Sequence, residues 1–528
     1  MSTGTQVAKA TGLIVLITLA SKVTGFFRTV VLADVYGATC VTDSYMAATV
    51  YPNTLFAGIN SALATTFIPL YTEIRERRGR QSAYEYANTV FTVLFGALLL
   101  LMGIGFVTAL PVLPLYVPGW VGKACAGTSQ IRLTLELTWV MLPSLVFIGL
   151  AAVQTGILQA EADFGPPAAV GIPQNLLLIA VVLGLSGRLG IFAAALGTFL
   201  GGTSYVAVQA VALRRHGFRY RPRLAWRHPE LVRMGRMVVP VFLSTFVGQA
   251  GYIVDRILAS TLAAGSISAL SYAALVNNVV LGIFVTALVT VMYPTLSRYT
   301  ARDDYAGFLD ATRRALGVLA LVTLPVAVGT MVLRLPLVEV VFERGAFGPR
   351  AAAQTAFALV FFAVGLTGNA AAILLPRAFF ALKDTRTPTL FGLVAVAVNI
   401  VADLLLVRPL AQGGLALGTS LAQWALAGLL LWQLRRRTGP IGGLRLARTF
   451  VKSAAAAGAT GAFVDALYRL TRPWLPGHSF IVLAGHLLLV AAVGAALYAV
   501  LTWGLRVEEA AWLLDLLRHG WRRLRAYV

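Results

Sequence analysis

Three cations, Lys22, Arg28 and Arg256, stand inside long apolar stretches of this 528-residue chain. A charge at the centre of a bilayer costs roughly 2.5 to 3.5 kcal/mol on insertion scales, so a cation kept there is a functional candidate, suited to holding an anionic ligand. Lys22 and Arg28 are six residues apart, about 9 Å along a helix and about 240° around it, so a straight helix does not bring them to one face. Thr24-Gly25 between them offers a break or kink that would turn both toward a common cavity. The competing account is snorkelling, in which long basic side chains near a helix end reach interfacial water. Arg256 follows Asp255 directly, which makes a local or interhelical ion pair as natural as ligand binding. Asp43 opens a second apolar run, where it reads as a site residue or as a plain N-cap. Asn53 and Asn60 on the second run, and Asn277 on the eighth, set amides at corresponding depth. Gln154, Gln159 and Asn175 add more. Such amides serve hydrogen bonding between helices or line a hydrated lumen.

The elements that must carry these residues follow from composition. Hydrophobic residues make up 58% of the chain and charged ones only 12%, about half the roughly 25% of an ordinary soluble domain. The chain is therefore an all-α integral membrane protein; a soluble enzyme and a receptor with one or two anchors are both excluded. A window of about 19 residues predicts fourteen spanning helices. They group as residues 1–215, a basic linker 216–236, a second set over 237–436, two further helices over 437–505, and an amphipathic, Arg-rich helix over 506–528 suited to an anionic leaflet. The gap 186–190 is short enough for two helices to be mistaken for one. Of the 43 Lys and Arg residues, about 31 fall in loops on one side and about 9 on the other, the bias that places those loops and both termini in the cytoplasm. The formal net charge of +22 is thus topology and attraction to anionic lipid, not a sign of nucleic acid binding.

The chain also repeats itself. Ser61 to Pro69 lines up with Thr286 to Pro294, Arg28 and Gly37 with Arg256 and Gly265, and Ala160 to Pro167 with Ala381 to Pro388. Both halves start on the same side, so they read as parallel repeats of six helices. Enzyme signatures are missing: there is no GxxxxGK[ST], HExxH or GxSxG, and the five His are scattered. Cys40 and Cys125 have no CxxC or His neighbour and read as small loop residues on the outer side, with their pairing left open. No cofactor is expected; a coupling ion or the membrane potential would supply energy.

Ser21-Lys-Val-Thr-Gly-Phe-Phe-Arg28, Thr42-Asp-Ser-Tyr45, Pro52-Asn53 and Phe67-Ile-Pro69 resemble the opening of the MurJ (MviN) lipid II flippases. So do Val254-Asp-Arg256, Gly265 to Tyr272, Phe342 to Phe347 and the loop Arg377-Ala-Phe-Phe-Ala-Leu-Lys-Asp384-Thr-Arg-Thr-Pro388. The resemblance spans about residues 5 to 435 and points to one branch of the multidrug/oligosaccharidyl-lipid/polysaccharide exporter superfamily. It implies two six-helix lobes around a central cavity, two extra C-terminal helices, and a bacterial plasma membrane. It also implies alternating access and a substrate, lipid II, carried to the outer leaflet, with cell-wall synthesis proteins as further partners. Lys22, Arg28, Asp43 and Asn53 match family positions, the two cations standing where the diphosphate is held. Thr29 departs from the pattern where many relatives have Asp, and Phe56, Ala57 and Leu275 stand where the family usually has Arg; with those cations missing, Arg256 and Lys22 are expected to take over more of the diphosphate. The rival readings are an exporter of another polyprenyl-linked glycan or amphipathic compound, a membrane glycosyltransferase, and an inert scaffold.

Overall fold

The computed structural model describes residues 3–225, 229–475 and 480–510, with side chains from residue 12 onward apart from a few positions in the second and eighth helices. The predicted amphipathic helix therefore lies largely outside the described residues. The described chain is almost entirely helical: α1 (Thr3–Tyr36), α2 (Cys40–Tyr116), α3 (Gln130–Met141), α4 (Ser144–Ala160), α5 (Gly165–Ala169), α6 (Gly171–Leu189), α7 (Phe192–Arg215), α8 (Pro229–Gly248) and α9 (Ala250–Ser260) come first. Then follow α10 (Ser266–Val280), α11 (Thr286–Ala301), α12 (Tyr305–Val332), α13 (Arg334–Phe342), α14 (Pro349–Ala381), α15 (Arg386–Thr438), α16 (Gly443–Thr471) and α17 (Phe480–Gly504). A small antiparallel pair, Ala124–Cys125 with Thr128–Ser129, precedes α3.

Two of these helices are hairpins. A straight helix would separate Phe67 from Tyr86 by about 28 Å, yet their rings stack with centroids 5.7 Å apart. The chain reverses at Gly79, whose φ of 84° and ψ of 169° leave the helical region. In α15 the reversal is at Ala411 (φ 46°, ψ −127°), and it brings Gly418 against the Asp403 side chain. Ten described helices are long and apolar enough to cross a membrane, these two hairpins among them. The seventh and thirteenth expected segments correspond to α8–α9 and α16, which are not among those ten. α6 and α7 are separate helices, turned at Gly190.

Residues 1–268 with 344–348 form one compact unit, and 269–343 with 349–528 the other. The sequence placed 237 onward in the second set. Here α8 and α9 belong to the first unit, where Tyr86 of α2 bonds Met234 of α8 and the Gly119 amide donates to Ser260 Oγ of α9 at 3.1 Å. The apolar core of the first unit is built from α2, α4 and α7 around Phe67, Tyr71, Tyr86, Leu98 and Val153. In the second, Leu319, Leu366, Leu374, Phe379, Leu430 and Leu434 join α12, α14 and α15.

The duplication is written in local geometry. Ala162 and Lys383, at matching positions, both take positive φ (61° and 59°), as do Gly37 and Gly265 (66° and 89°). Asp163 meets His216 after α7 at 3.0 Å, and Asp384 meets Arg437 in the last turn of α15 at 2.6 Å. The carbonyl of Ala160 accepts from Arg75, and that of Ala381 from Thr300.

Cys40 and Cys125 are joined as a disulfide, Cα atoms 6.0 Å apart and 85 residues apart in sequence, so they are not merely small loop residues. The bond ties the start of α2 to the small sheet. A free loop of this length would be stabilised by about 4.5 kcal/mol through chain entropy, but helices already held in a bilayer have less entropy to lose. Cys40→Ser with Cys125→Ser is expected to lower stability by about 2 kcal/mol, seen as an earlier unfolding transition in detergent. Unchanged unfolding would show that the bond does not constrain the protein.

Candidate functional site

α1 runs unbroken from Thr3 to Tyr36, so Thr24-Gly25 does not turn Lys22 and Arg28 to one face. Lys22 is exposed and Arg28 half-buried. Gly25 serves a close approach instead: a Cβ there would lie 3.3 Å from the Asn175 amide nitrogen. Asn175, buried on α6, donates to the Ser21 carbonyl at 3.3 Å and to Thr24 Oγ1 at 3.2 Å. That amide bonds helix to helix, the first of the two roles open to it. Thr29 is buried and returns its hydroxyl to the Gly25 carbonyl, giving no charge to replace the acid frequent among relatives.

Arg28 lies within electrostatic reach of Tyr45 on α2 and Tyr205 on α7. Both hydroxyls are engaged elsewhere, Tyr45 with Thr198 at 2.8 Å and Tyr205 as donor to Gln174 at 2.8 Å. Arg28 Nε is buried without a hydrogen-bond partner. An unsatisfied buried donor on a charged group costs more than the 1–3 kcal/mol or so of a neutral one. These two tyrosines, Gln174 and Thr198 were not singled out from sequence as a set; Tyr205 and Gln174 lie in different helices, and no spacing links them.

Asp43 is 2% exposed, and it is not the cap of its own helix. Thr39 fills that place, accepting from the Thr42 amide. The Asp43 carboxylate instead accepts from the Gly265 amide at 2.6 Å and from the Ser268 amide and hydroxyl, each at 2.7 Å. It thereby caps α10, satisfying backbone donors that a helix start always leaves open. Arg256, 5% exposed, is near enough for its charge to act on Asp43. Its guanidinium bonds Tyr252 Oη at 2.8 Å and the Ile267 carbonyl at 3.4 Å, lies over the Tyr252 ring at 5.0 Å, and is close to Tyr116. The i, i+4 spacing of Tyr252 and Arg256 was the available signal for this stack. Asp255 precedes it on α9. Arg256 thus belongs to a buried structural network in this conformation, and Arg28 is left as the half-buried cation with an open donor.

Asn53 and Asn60 are exposed on α2. In the second unit Asn277 is buried on α10, and Arg377 is exposed beside the rings of Tyr293 and Phe380. Asp384 accepts from the Arg386 and Thr387 amides, the Thr387 hydroxyl and Arg437, with Pro388 in the first turn it caps. Burial works against its charged form, but the Thr387 bonds and then Arg437 outweigh it and hold the carboxyl below its ordinary value. A depressed carboxylate stabilises the fold above its unfolded pKa of about 3.9 and loses that contribution as pH falls through the lower folded value. Asp384→Asn is therefore expected to lower the melting temperature at pH 7 and to flatten its decline on acidification. A decline as steep as in the parent would refute this. Among the described residues no group of three or more His, Cys, Asp or Glu could hold a metal ion.

A family model described as Lipid II flippase MurJ matches residues 32–485. The probable lipid II flippase MurJ of Rhizobium meliloti (strain 1021) is 30% identical over 426 residues, 78% of each chain. The lipid II flippase MurJ of Burkholderia cenocepacia is 27% identical, over 80% of this chain and 82% of its own. Among solved structures, a lipid II flippase MurJ in an inward closed conformation superposes with a TM-score of 0.76 at 22% identity, covering 96% of this chain and 99% of that one. An inward-facing MATE family multidrug transporter of the MOP superfamily reaches 0.67 at 14% identity, covering 82% of this chain and 98% of its own. The fold is the one these transporters share, and the match over most of the chain goes further: this chain belongs to the MurJ lipid II flippase family.

Proposed function

We propose that this multi-pass membrane protein carries lipid II from the cytoplasmic to the outer leaflet of a bacterial plasma membrane, with both termini in the cytoplasm. The observation that supports it, beyond family membership, is Arg28: half-buried, with a buried Nε that has no partner. A guanidinium presents paired donors in a planar fork, which suits the oxygens of a diphosphate. Lys22, exposed two turns earlier on the same helix, supplies a second charge at the approach. Asp43, which caps α10, and Arg256, held by Tyr252 and the Ile267 carbonyl, support the fold rather than touching the diphosphate. The headgroup enters from the cytoplasmic side while the polyprenyl tail stays in lipid, and alternating access releases it outside. An ion gradient or the membrane potential drives the cycle; cell-wall synthesis proteins are the natural partners on either side of it.

The test is complementation of a strain depleted of its lipid II flippase, read as accessibility of lipid II on the outer face. Restored accessibility is the expected result. Growth without it, or none with normal protein levels, would point to another polyprenyl-linked glycan as cargo.

A further inference from the structure

After α7 the chain turns at Gly217 (φ 83°) and runs as an extended strap along the second arm of α2. The strap is fastened at several points. Phe218 packs edge-on to Tyr84 at 5.2 Å, and Tyr220 lies 4.8 Å from Phe91. The Arg221 amide donates to Asn88 Oδ1 at 3.1 Å and the Arg223 amide to Thr92 Oγ1 at 3.2 Å. Arg223 also pairs with Glu85 at 2.6 Å. Beneath the strap is a cavity of about 680 Å³ lined by Gln154, Arg214, Phe218, Arg219, Tyr220 and Phe91. All of these residues belong to the first unit.

The lining has the donors and acceptors of a binding site. Arg214 and Arg219 are exposed, whereas the neighbouring carboxylates are already committed, Asp163 to His216 and Glu85 to Arg223. Gln154 on α4 is 4% exposed, and its Oε1 is buried without a hydrogen-bond partner. That amide asks for a hydroxyl donor, the two guanidiniums for a phosphate, and the aromatic faces for the apolar side of a small polyol. Basic pockets between membrane helices on the cytoplasmic side are suited to lipid headgroups.

We propose that this cavity binds a phosphate ester carrying free hydroxyls, a phosphorylated polyol, apart from any site on α1. The inference does not rest on the transport reading. The experiment uses the full chain in neutral detergent, with binding read by native mass spectrometry. The probes are dihexanoyl phosphatidylglycerol, dihexanoyl phosphatidic acid, dihexanoyl phosphatidylcholine and glycerol 3-phosphate. Phosphatidylglycerol is expected to bind, and Arg214→Gln with Arg219→Gln to weaken it about tenfold or more, since two charge-assisted contacts are lost. Arg214→Lys with Arg219→Lys should fall between, keeping charge but not the fork. Gln154→Leu should weaken phosphatidylglycerol and leave phosphatidic acid, which lacks the glycerol hydroxyls, unchanged. Competition by glycerol 3-phosphate would make the natural ligand a soluble ester, and its failure to compete a bilayer lipid. Equal binding of phosphatidylcholine, or phosphatidylglycerol binding indifferent to the double Gln variant, would overturn the proposal.

Discussion

Arg28→Gln is expected to abolish complementation of a flippase-depleted strain while leaving the protein at normal level and melting temperature. A charge-assisted contact to a buried ligand is worth about 2–3 kcal/mol, some 30- to 150-fold in affinity. Lys22 is exposed, and Lys22→Gln should cost only a few-fold. The fold should survive in the Arg28 variant, because the side chain has an open Nε rather than a structural bond there. Arg28→Lys separates two explanations. If charge alone suffices it should restore growth; if the fork matters, growth should remain poor. Wild-type growth of the Gln variant as sole flippase would remove Arg28 from the transport site.

Asp43→Ala is expected to destabilise the protein by about 3–5 kcal/mol, because the Gly265 amide, the Ser268 amide and the Ser268 hydroxyl would each lose a buried acceptor at about 1–3 kcal/mol. The variant should melt far earlier and accumulate poorly. Asp43→Asn keeps one acceptor oxygen but turns an NH2 toward a helix start already rich in donors, so roughly half of the loss should remain. The readout is thermal unfolding of purified protein, compared with Asp384→Asn, where partners are more exposed. A melting temperature for Asp43→Ala within a degree or two of the parent would show that α10 does not need this cap.

How far the chain could be read without coordinates depended on sequence distance. Cations inside apolar runs and the repeated loop at Ala160 and Ala381 are local or periodic signals, and each was legible. So was the family, carried by contiguous motifs such as Arg377 to Pro388. What the sequence did not show is what happens between helices. The partners of Asp43 lie more than 220 residues away, so an acid at a helix start looked like its own helix's cap. Gly25 looked like a hinge because a glycine between two cations invites one; only the arrival of Asn175 from α6 explains why no side chain stands there. Arg256 seemed a spare diphosphate ligand, yet Tyr252 and the Ile267 carbonyl hold it. The cations absent from Phe56, Ala57 and Leu275 are therefore not replaced by Arg256 in this conformation.

The bond between Cys40 and Cys125 also records history. Thiols on the cytoplasmic side of a membrane stay reduced, whereas those reaching an oxidising compartment can close. In the orientation proposed, a chain threaded the right way emerges with no alkylatable thiol, and one threaded backwards keeps two. A maleimide gel shift on newly made protein would thus sort correct from inverted insertion without any added tag. In that orientation, closing the bond draws on the oxidant outside the membrane, and so follows insertion rather than preceding it.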